Sequence, residues 1–268
     1  MERCLGLMAG AGIIPGHAAA EARRQGWKVV AFAFEEAPGL EGVADRVLPS
    51  SLTDLQIVLT TLAAERVTAV AFVGKFWKQS VFSAAPRGDA VGQRIGREGL
   101  SDGALARMAV ATLDAMGVEV LDQRRFLGPW LLSAPQLTAR APAEAEWEEI
   151  RAGWPLARDL ASRGIGQTVV RARGVTVAVE AAEGTDETIR RGVRLSGPGA
   201  VVIKTVADDH DFRFDVPAVG LATLEAMAAG GATALAVARG RTLLVDGDAV
   251  MRRAEDAGIA VVTLEDGA

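Results

Sequence analysis

The sequence predicts an α/β protein whose N-terminal part is an open, mostly parallel sheet and whose C-terminal part is a mixed α/β domain. Three observations support this prediction. The chain has 268 residues, half of them hydrophobic, which is normally enough for two packed domains. Short apolar runs alternate with helical segments through the first half, and each run is apolar throughout. Strands covered by helices on both faces have this continuous pattern.

The first half repeats the order strand, loop and helix. An apolar run at 4–10 ends in glycine, and the helix-forming residues that follow end at Gly26. Further strands are predicted at 27–34, 68–74 and 118–122, with helices within 52–67 and over 101–117. The Pro- and Ala-rich stretch 133–146 has no clear period and is predicted to be a linker. The predicted domains are therefore a Rossmann-like domain over 1–132 and a mixed α/β domain over 147–268.

The second half mixes hairpins with helices. A helix is predicted at 147–164, and two β-branched runs that meet at Arg173 and Gly174 predict a hairpin. A helix start near 184 and a buried strand at 200–206 follow. The remaining predicted elements are a helix at 221–231, a second hairpin within 234–246, a helix at 247–258 and a strand at 259–264.

Composition argues against nucleic acid and against a membrane span. The net charge is -5, whereas a surface that follows a phosphate backbone needs an excess of Lys and Arg. No apolar run is long enough to cross a bilayer, and the N-terminus lacks the pattern of a signal peptide. The single cysteine, Cys4, excludes an intramolecular disulfide and is expected to be buried and unreactive. We therefore expect a cytoplasmic protein, which is compatible with work at a membrane surface.

A glycine-rich turn follows the first predicted strand. Gly10 and Gly12 match the first two glycines of G-x-G-x-x-G, a motif whose backbone N–H groups approach a pyrophosphate, but Pro15 stands at the third position. Phosphate contact and a purely structural turn both remain open. Lys75 and Lys78 follow another strand, on the side where open sheets bind ligands, and a solvated strand end explains them as well.

Carboxylates and a lysine stand at strand ends in the second half. Glu180 closes an apolar strand and Glu183 begins the next loop, so both carboxylates are expected to point at one crevice. Thr185 is a candidate helix N-cap, and capping alone would explain it. Lys204 lies within an apolar strand, although lysine is seldom buried unless it is paired. It is either a functional group or an edge-strand lysine that points to water.

The segment DDHDFRFDVPAVG is the most acidic part of the chain. In an extended conformation Asp211, Arg213 and Asp215 would share one face while Phe212 and Phe214 pack on the other. Magnesium prefers one or two carboxylates together with substrate phosphates, and arginine binds phosphate bidentately. The segment is compatible with metal-assisted phosphate chemistry, and a salt-bridged surface hairpin is the alternative.

Four features occur in order along the chain: LGLMAGAGIIP, VAVEAAEGTDETIRR, an isolated lysine in the next strand, and HDFRFDVPAVGLAT. Together they resemble the UDP-2,3-diacylglucosamine pyrophosphatases of the LpxI family, over the whole length of the chain. The resemblance implies hydrolysis of UDP-2,3-diacylglucosamine to UMP and 2,3-diacylglucosamine 1-phosphate in lipid A synthesis. It also implies a divalent metal, usually Mg2+, and a ligand held between two α/β domains.

The resemblance assigns roles to single residues. Asp215 matches the aspartate expected to be essential, and the expected catalytic residues beside it are Asp211, Arg213 and Lys204. Asp215, Asp211 and Glu180 are the expected ligands of Mg2+, or of Mn2+ in its place. The residues expected to bind substrate are Gly10, Gly12, Ile13, Pro15, Lys75, Asp102, Glu183, Gly184, Thr185, Asp186, Arg190, Pro217, Gly220 and Thr223.

The chain departs from the family pattern at several of these places. Asp102 is kept in a stretch that has lost one acid, Gly74 is followed by Lys75 where the family has Gly-Asn-Val and then a basic residue, and His210 replaces a glutamine. These changes leave the catalytic carboxylates in place. They put the diacylated sugar in question more than the phosphate chemistry.

We therefore expect a metal-dependent phosphoric anhydride hydrolase that acts on a nucleotide-sugar lipid. Mg2+ and Arg213 would neutralise the pyrophosphate oxygens while Asp215 presents a water for in-line attack on phosphorus. The apolar stretches 76–82 and 126–132 would be walls for acyl chains or, alternatively, core or interface. Peripheral contact with the inner membrane and a homodimer are compatible with this function.

Three alternatives remain. The first is a pyrophosphatase for a different UDP-sugar, and the second is a nucleotide-sugar-binding protein without turnover. The third is an NAD-dependent oxidoreductase built on the first glycine loop, against which the missing third glycine and the lack of a clear ribose-binding acid argue.

Overall fold

A computed structural model describes residues 3–51, 55–76 and 102–265, with side chains omitted for 102–105. The chain divides into two compact units. The first consists of Met1–Gly128 and Asp211–Asp215, and the second of Pro129–His210 and Val216–Ala268. The domain limits 1–132, 133–146 and 147–268 stay a prediction. The expectations for Lys78, and for residues 77–82 as an acyl-chain wall, lie outside the described residues.

The first unit contains a five-stranded sheet in which all strands are parallel. The sheet order is β3-β2-β1-β4-β5. The strands are β1 Cys4–Ala9, β2 Lys28–Ala33, β3 Arg46–Pro49, β4 Ala69–Val73 and β5 Glu119–Val120. The helices described in this unit are α1 Ile14–Arg24, α2 Leu55–Ala64, α3 Asp102–Ala115 and α4 Arg124–Leu127. The predicted open parallel sheet is confirmed.

Burial explains why the strands of this sheet are apolar throughout. Every residue of β1 is buried, Cys4 included. Val30, Phe32 and Val70 from the neighbouring strands join Cys4 and Met8 in one core cluster. A strand whose two faces are both covered has no solvent-facing positions that need polar side chains.

The second unit contains a five-stranded mixed sheet, ordered β12-β10-β8-β6-β7, and a two-stranded sheet of β11 and β9. β12, β10 and β8 are parallel, whereas β6 is antiparallel to both β8 and β7. The strands are β6 Thr168–Ala172, β7 Val175–Val179, β8 Val201–Lys204, β9 Ala218–Val219, β10 Ala234–Ala238, β11 Leu243–Leu244 and β12 Ala260–Leu264. The helices are α5 Glu144–Ser162, α6 Thr185–Ser196, α7 Leu221–Ala229 and α8 Gly247–Asp256.

The two predicted hairpins had different outcomes. The first is confirmed: β6 and β7 pair across Arg173 and Gly174, whose φ angles of 52 and 78 are both left-handed, as a tight two-residue hairpin turn requires. The second, within 234–246, is wrong. β10 pairs in parallel with β8 and β12, and β11 pairs with β9. The fully apolar β10 is buried between two parallel neighbours. The chain therefore leaves the sheet at Gly240 and does not turn back along β10 as a hairpin would.

Among the described helices, none combines the length and the apolar character that a bilayer span requires.

Candidate functional site

Lys204 occupies the carboxyl end of β8, the central strand of the mixed sheet. Its residue is only 5% exposed, which excludes an edge-strand lysine that points to water. The Lys204 Nζ donates a hydrogen bond of 2.7 Å to Thr185 Oγ1. Lysine is seldom buried to this extent unless it is paired, because taking its charge out of water is costly.

Thr185 begins helix α6 and does not act as its N-cap. The N-cap is Gly184, with φ 83 and ψ 173, and Thr188 N–H donates to its carbonyl oxygen. The Thr185 hydroxyl lies instead 3.2 and 3.3 Å from the two carboxylate oxygens of Glu180, to which it donates while accepting from Lys204. The capping interpretation of Thr185 is therefore wrong. Only a glycine takes up the backbone conformation of residue 184 without strain, which leaves the threonine hydroxyl to link Lys204 with Glu180.

A second polar contact joins the first turns of two helices. The Thr223 Oγ1 in α7 donates to Asp186 Oδ1 in α6 at 2.9 Å. Gly220 is the N-cap of α7, and the buried Pro217 accepts a hydrogen bond from Leu243 N–H as the chain enters β9. The Lys204–Thr185–Glu180 contacts and the Asp186–Thr223 contact are called the lysine network below.

Two predicted site residues have partners away from Lys204. The Glu183 carboxylate accepts hydrogen bonds from Thr188 Oγ1 and Arg191 Nη2, at 3.2 and 2.6 Å. Its own backbone N–H and Arg191 hold the pKa of Glu183 below its usual value. Arg190 is exposed on α6 and pairs with Glu187 at 2.6 Å. Glu180 and Glu183 therefore do not share one partner: Glu180 contacts Thr185, and Glu183 closes its own loop.

Gly166 supports the lysine network, although the sequence pattern did not identify it as a site residue. A Cβ at this position would lie 2.2 Å from the carbonyl oxygen of Glu180 and 2.8 Å from its Cβ. Only glycine allows the chain before β6 to approach Glu180 so closely. The sequence signal was weak, because Gly164 and Gly166 look like an ordinary helix terminus in the stretch RGIGQ.

The acidic segment forms a turn and not the extended strip that its alternation predicted. Phe214 N–H donates to Asp211 O at 3.2 Å. Arg213 folds back on Asp211, with Nε 2.9 Å from Oδ1 and Nη2 2.8 Å from Oδ2. This pairing with Asp211 raises the pKa of Arg213. Asp211 and Asp215 are exposed, and Phe212 is 7% exposed.

The whole turn belongs to the first unit, although the chain on both sides of it belongs to the second. The Phe214 ring lies 5.1 Å from the ring of Phe72 in β4. Gln123 N–H donates to Phe212 O at 3.2 Å. The aromatic residues anchor the segment, as predicted, while the charged residues remain accessible to solvent. We call Asp211–Asp215 the acidic turn.

The glycine loop after β1 uses its N–H groups internally. The N–H groups of Gly10, Ala11 and Gly12 each donate to backbone carbonyls, at 2.8, 2.8 and 3.1 Å. They are therefore engaged within the protein fold. Ala11 and Lys75 form an isolated antiparallel bridge, and a Cβ at Gly10 would lie 2.7 Å from Lys75 O. The close approach of two loops explains why residue 10 is a glycine, which agrees with the interpretation of this segment as a structural turn.

The other residues of the first unit that were expected to bind substrate are Ile13, Pro15 and Asp102. Ile13 is the N-cap of α1 and is 40% exposed. Pro15 packs against Gly74, where a Cβ would lie 2.8 Å from Pro15 Cγ. Helix α3 begins at Asp102, whose side chain lies outside the described residues.

Three apolar side chains of the stretch 126–132 are buried, whereas Trp130 and Leu131 are half-buried. Phe126 and Leu127 are 1% and 2% exposed, and the Phe126 ring packs edge-on against Trp27 at 6.1 Å. Leu132 is buried as well. These side chains are core, which was the alternative to an acyl-chain surface.

The oxygen donors of the predicted site are those that a hard cation prefers. In the residues that the structure describes, no group of three or more His, Cys, Asp or Glu side chains is placed to hold a metal ion. The second unit offers the carboxylates of Glu180 and Asp186, and the first offers those of Asp211 and Asp215. One or two carboxylates with waters and substrate phosphates suit Mg2+ or Mn2+. Both Asp211 oxygens accept hydrogen bonds from Arg213.

The chain matches two domain families along almost its entire length. The LpxI N-terminal domain matches residues 4–130, and the LpxI C-terminal domain matches residues 133–262. A curated protein of Caulobacter vibrioides, UDP-2,3-diacylglucosamine pyrophosphatase LpxI, is 28% identical over 282 residues, which cover 98% of this chain and 98% of that protein.

Two solved structures have distant similarity. Glycinamide-RNase-transformylase T of Mycobacterium tuberculosis has a TM-score of 0.25 and 18% identity, covering 67% of this chain and 44% of that chain. UDP-glucose-4-epimerase of Stenotrophomonas maltophila has a TM-score of 0.28 and 18% identity, covering 61% of this chain and 50% of that chain. The present chain thus spans half or less of each.

Proposed function

Because the chain belongs to the LpxI family, we propose that it is a UDP-2,3-diacylglucosamine pyrophosphatase of lipid A synthesis. The proposed products are UMP and 2,3-diacylglucosamine 1-phosphate, and Mg2+ is the proposed cofactor. The acyl chains of this substrate favour work at the cytoplasmic face of the inner membrane, where a homodimer is also compatible with the reaction. The Caulobacter protein, matched over 98% of both chains, supports this assignment.

The observation that best supports phosphate chemistry is the buried Lys204 beside the first turn of α6. Its Nζ lies 2.7 Å from Thr185 Oγ1, and Asp186 of the same turn contacts Thr223 in the first turn of α7. The N-terminus of α6 therefore lies beside a buried lysine, and its first turn contacts the first turn of α7. Unpaired N–H groups and the helix dipole attract an anion at such a place. We assign the lysine network to the binding of a phosphate group of the substrate.

The acidic turn supplies the groups expected to act on phosphorus. Arg213 has a planar guanidinium that matches phosphate oxygens, and here it already pairs bidentately with the Asp211 carboxylate. A phosphate that displaces Asp211 from Arg213 would be held by the same two N–H groups. Asp215 is exposed and would hold and orient the attacking water as a base.

A metal ion would be held by Asp215, with Asp211 and Glu180 as further candidates. When bound, it would neutralise phosphoryl oxygens and lower the pKa of a bound water. An oxygen of the Asp211 carboxylate can accept a hydrogen bond from Arg213 and bind a metal ion at the same time.

Release of UMP from a defined set of substrates tests the proposal. UDP-2,3-diacylglucosamine and UDP-GlcNAc are compared with Mg2+, with Mn2+ and with a chelator. We expect the acylated substrate to react faster, and the chelator to abolish UMP release. Equal rates on UDP-GlcNAc would favour a pyrophosphatase for another UDP-sugar. Tight binding without UMP release under every metal condition would favour a nucleotide-sugar-binding protein.

A further inference from the structure

The ring of Phe212 lies directly beneath the guanidinium of Arg124. The Cζ atom of Arg124 is 3.7 Å from the centre of the ring, which is van der Waals contact. Phe212 is 7% exposed, so the ring is almost completely covered. Stacking of a guanidinium on an aromatic face is attractive, and partial burial strengthens it.

Arg124 is itself held in one orientation by Asp122. Its Nε lies 3.1 and 3.0 Å from the two oxygens of Asp122, its Nη2 lies 2.6 Å from Oδ2, and its backbone N–H donates to Oδ1 at 2.8 Å. A paired arginine of this kind has few other rotamers, and its plane is therefore fixed over the ring. Asp122 and Arg124 stand two residues apart at the start of α4.

The stack is one of two anchors that flank Arg213. Phe212 lies before Arg213 and stacks on Arg124, and Phe214 lies after it and packs on Phe72. The side chains of Asp211 and Arg213 are 44% and 41% exposed and contact each other. The position of the charged groups therefore depends on the two rings, since the charges themselves have little packing to hold them.

We propose that Asp122 and Arg124 are positioning residues that act through Phe212 to place Asp211, Arg213 and Asp215 for the reaction. This inference rests on the proposed function, because it assumes that the acidic turn carries the chemistry. Neither Asp122 nor Arg124 touches substrate in this proposal. Their role is to keep the turn in one conformation before substrate arrives.

A small displacement of the turn is expected to matter for rate more than for binding. Reacting groups must lie within a fraction of an ångström of their productive positions, and misplacement by about 1 Å costs up to about 100-fold in rate. Binding of the uridine and sugar groups would depend on other contacts. Arg213 also contacts a substrate phosphate in the proposed function, so loss of the Arg124–Phe212 stack should lower kcat strongly and raise KM only slightly.

The test compares Arg124→Lys with Arg125→Lys in the full-length protein. Lysine keeps the positive charge and loses both the planar stack and the fork on Asp122. Arg125 is a matched control, since its guanidinium also stacks on an aromatic ring, that of Trp27 at 5.3 Å. We expect Arg124→Lys to lower kcat about 10-fold, with KM within threefold and a melting temperature lowered by no more than about 4 °C. Arg125→Lys should keep kcat within twofold of wild type.

Hydrogen exchange of the amides at 212–214 gives a readout that is independent of turnover. The exchange should accelerate in Arg124→Lys and not in Arg125→Lys, because only the former frees the Phe212 ring. A double-mutant cycle with Phe212→Leu adds a second criterion: the effects on kcat should be strongly non-additive, since both changes break one contact.

The outcomes separate this inference from the proposed function. If Arg124→Lys retains wild-type kcat while Asp215→Asn is inactive, the proposed positioning role of Asp122 and Arg124 is refuted and the proposed function stands. If wild-type protein releases no UMP from any nucleotide-sugar, the proposed function fails. Unchanged exchange at 212–214 in Arg124→Lys would then also refute the anchoring, whereas accelerated exchange would support it.

Discussion

Replacing Lys204 with methionine separates stability from activity. Methionine keeps most of the aliphatic length and removes the nitrogen that donates to Thr185 Oγ1 at 2.7 Å. The lost hydrogen bond to a charged group costs about 1.5–3 kcal/mol. Because residue 204 is only 5% exposed, removing its charge also removes a desolvation penalty of several kcal/mol. The two effects oppose each other, so we expect the free energy of unfolding to fall by at most about 1 kcal/mol, or to rise.

Turnover of Lys204→Met should respond quite differently. A buried donor that faces developing negative charge typically contributes about 100- to 1,000-fold to kcat. We therefore expect kcat with UDP-2,3-diacylglucosamine to fall by that factor, with the protein as stable as wild type in urea or thermal unfolding. If the substitution lowers activity and leaves stability unchanged, Lys204 serves the function of the protein and not its folding.

Arg171→Met provides the matched control in the same sheet. Arg171 in β6 pairs with Glu149 at 2.9 Å, and both side chains are 11% exposed. Removing the arginine leaves the buried Glu149 carboxylate with the Gly174 N–H but without its cationic partner, which costs about 3–5 kcal/mol of stability, while the folded fraction should keep its kcat. The reasoning is refuted if Lys204→Met unfolds as readily as Arg171→Met and retains normal turnover.

Substitutions at three further positions test other parts of the account. Thr185→Val should lower kcat at least 10-fold and Thr185→Ser should restore it, because only the hydroxyl links Lys204 to Glu180. Gly166→Ala places a Cβ 2.2 Å from Glu180 O, so about 1–3 kcal/mol of stability and most activity should be lost, as urea unfolding and UMP release would show. Burial raises the pKa of Glu146, but hydrogen bonds led by that from Arg140 outweigh this and hold it below its usual value. Because the pKa is lower in the folded protein, ionised Glu146 stabilises the fold at pH values above its unfolded pKa of about 4.3. This stabilisation is lost as the pH falls through the pKa of the folded protein. Glu146→Gln should therefore cost about 1 kcal/mol of stability at pH 7 and progressively less in unfolding experiments below pH 4.

The architecture of each unit was predictable wherever local pattern determines it. Continuous apolar runs predicted the parallel strands, because strands covered on both faces have no polar positions. The Arg173–Gly174 turn predicted the β6–β7 hairpin, and both residues adopt positive φ. Gly240 resembled a second such turn, but the sequence does not encode which strand takes which partner, and β10 found two parallel ones.

The site depended more on long-range packing and was predicted less well. Alternation suggested that Phe212 and Phe214 share a face, but only the folded chain shows that their partners are Arg124 and Phe72. The alternation of charges left a salt-bridged hairpin open as an alternative, but it did not show that the partner of Arg213 would be Asp211. Lys204 could be read from sequence as buried or as exposed, because the position of a strand within a sheet is not a local property.

Asp215→Asn is the most direct test of the central claim that the acidic turn carries the chemistry. Asparagine keeps the shape of the side chain and removes the negative charge that would orient a water or hold a metal. At saturating Mg2+ we expect kcat to fall by about 100- to 10,000-fold, with the melting temperature and the affinity for nucleotide-sugar close to wild type. If Asp215 only forms a surface ion pair, the change should cost at most about 1 kcal/mol of stability and leave UMP release nearly normal, and that result would contradict the account.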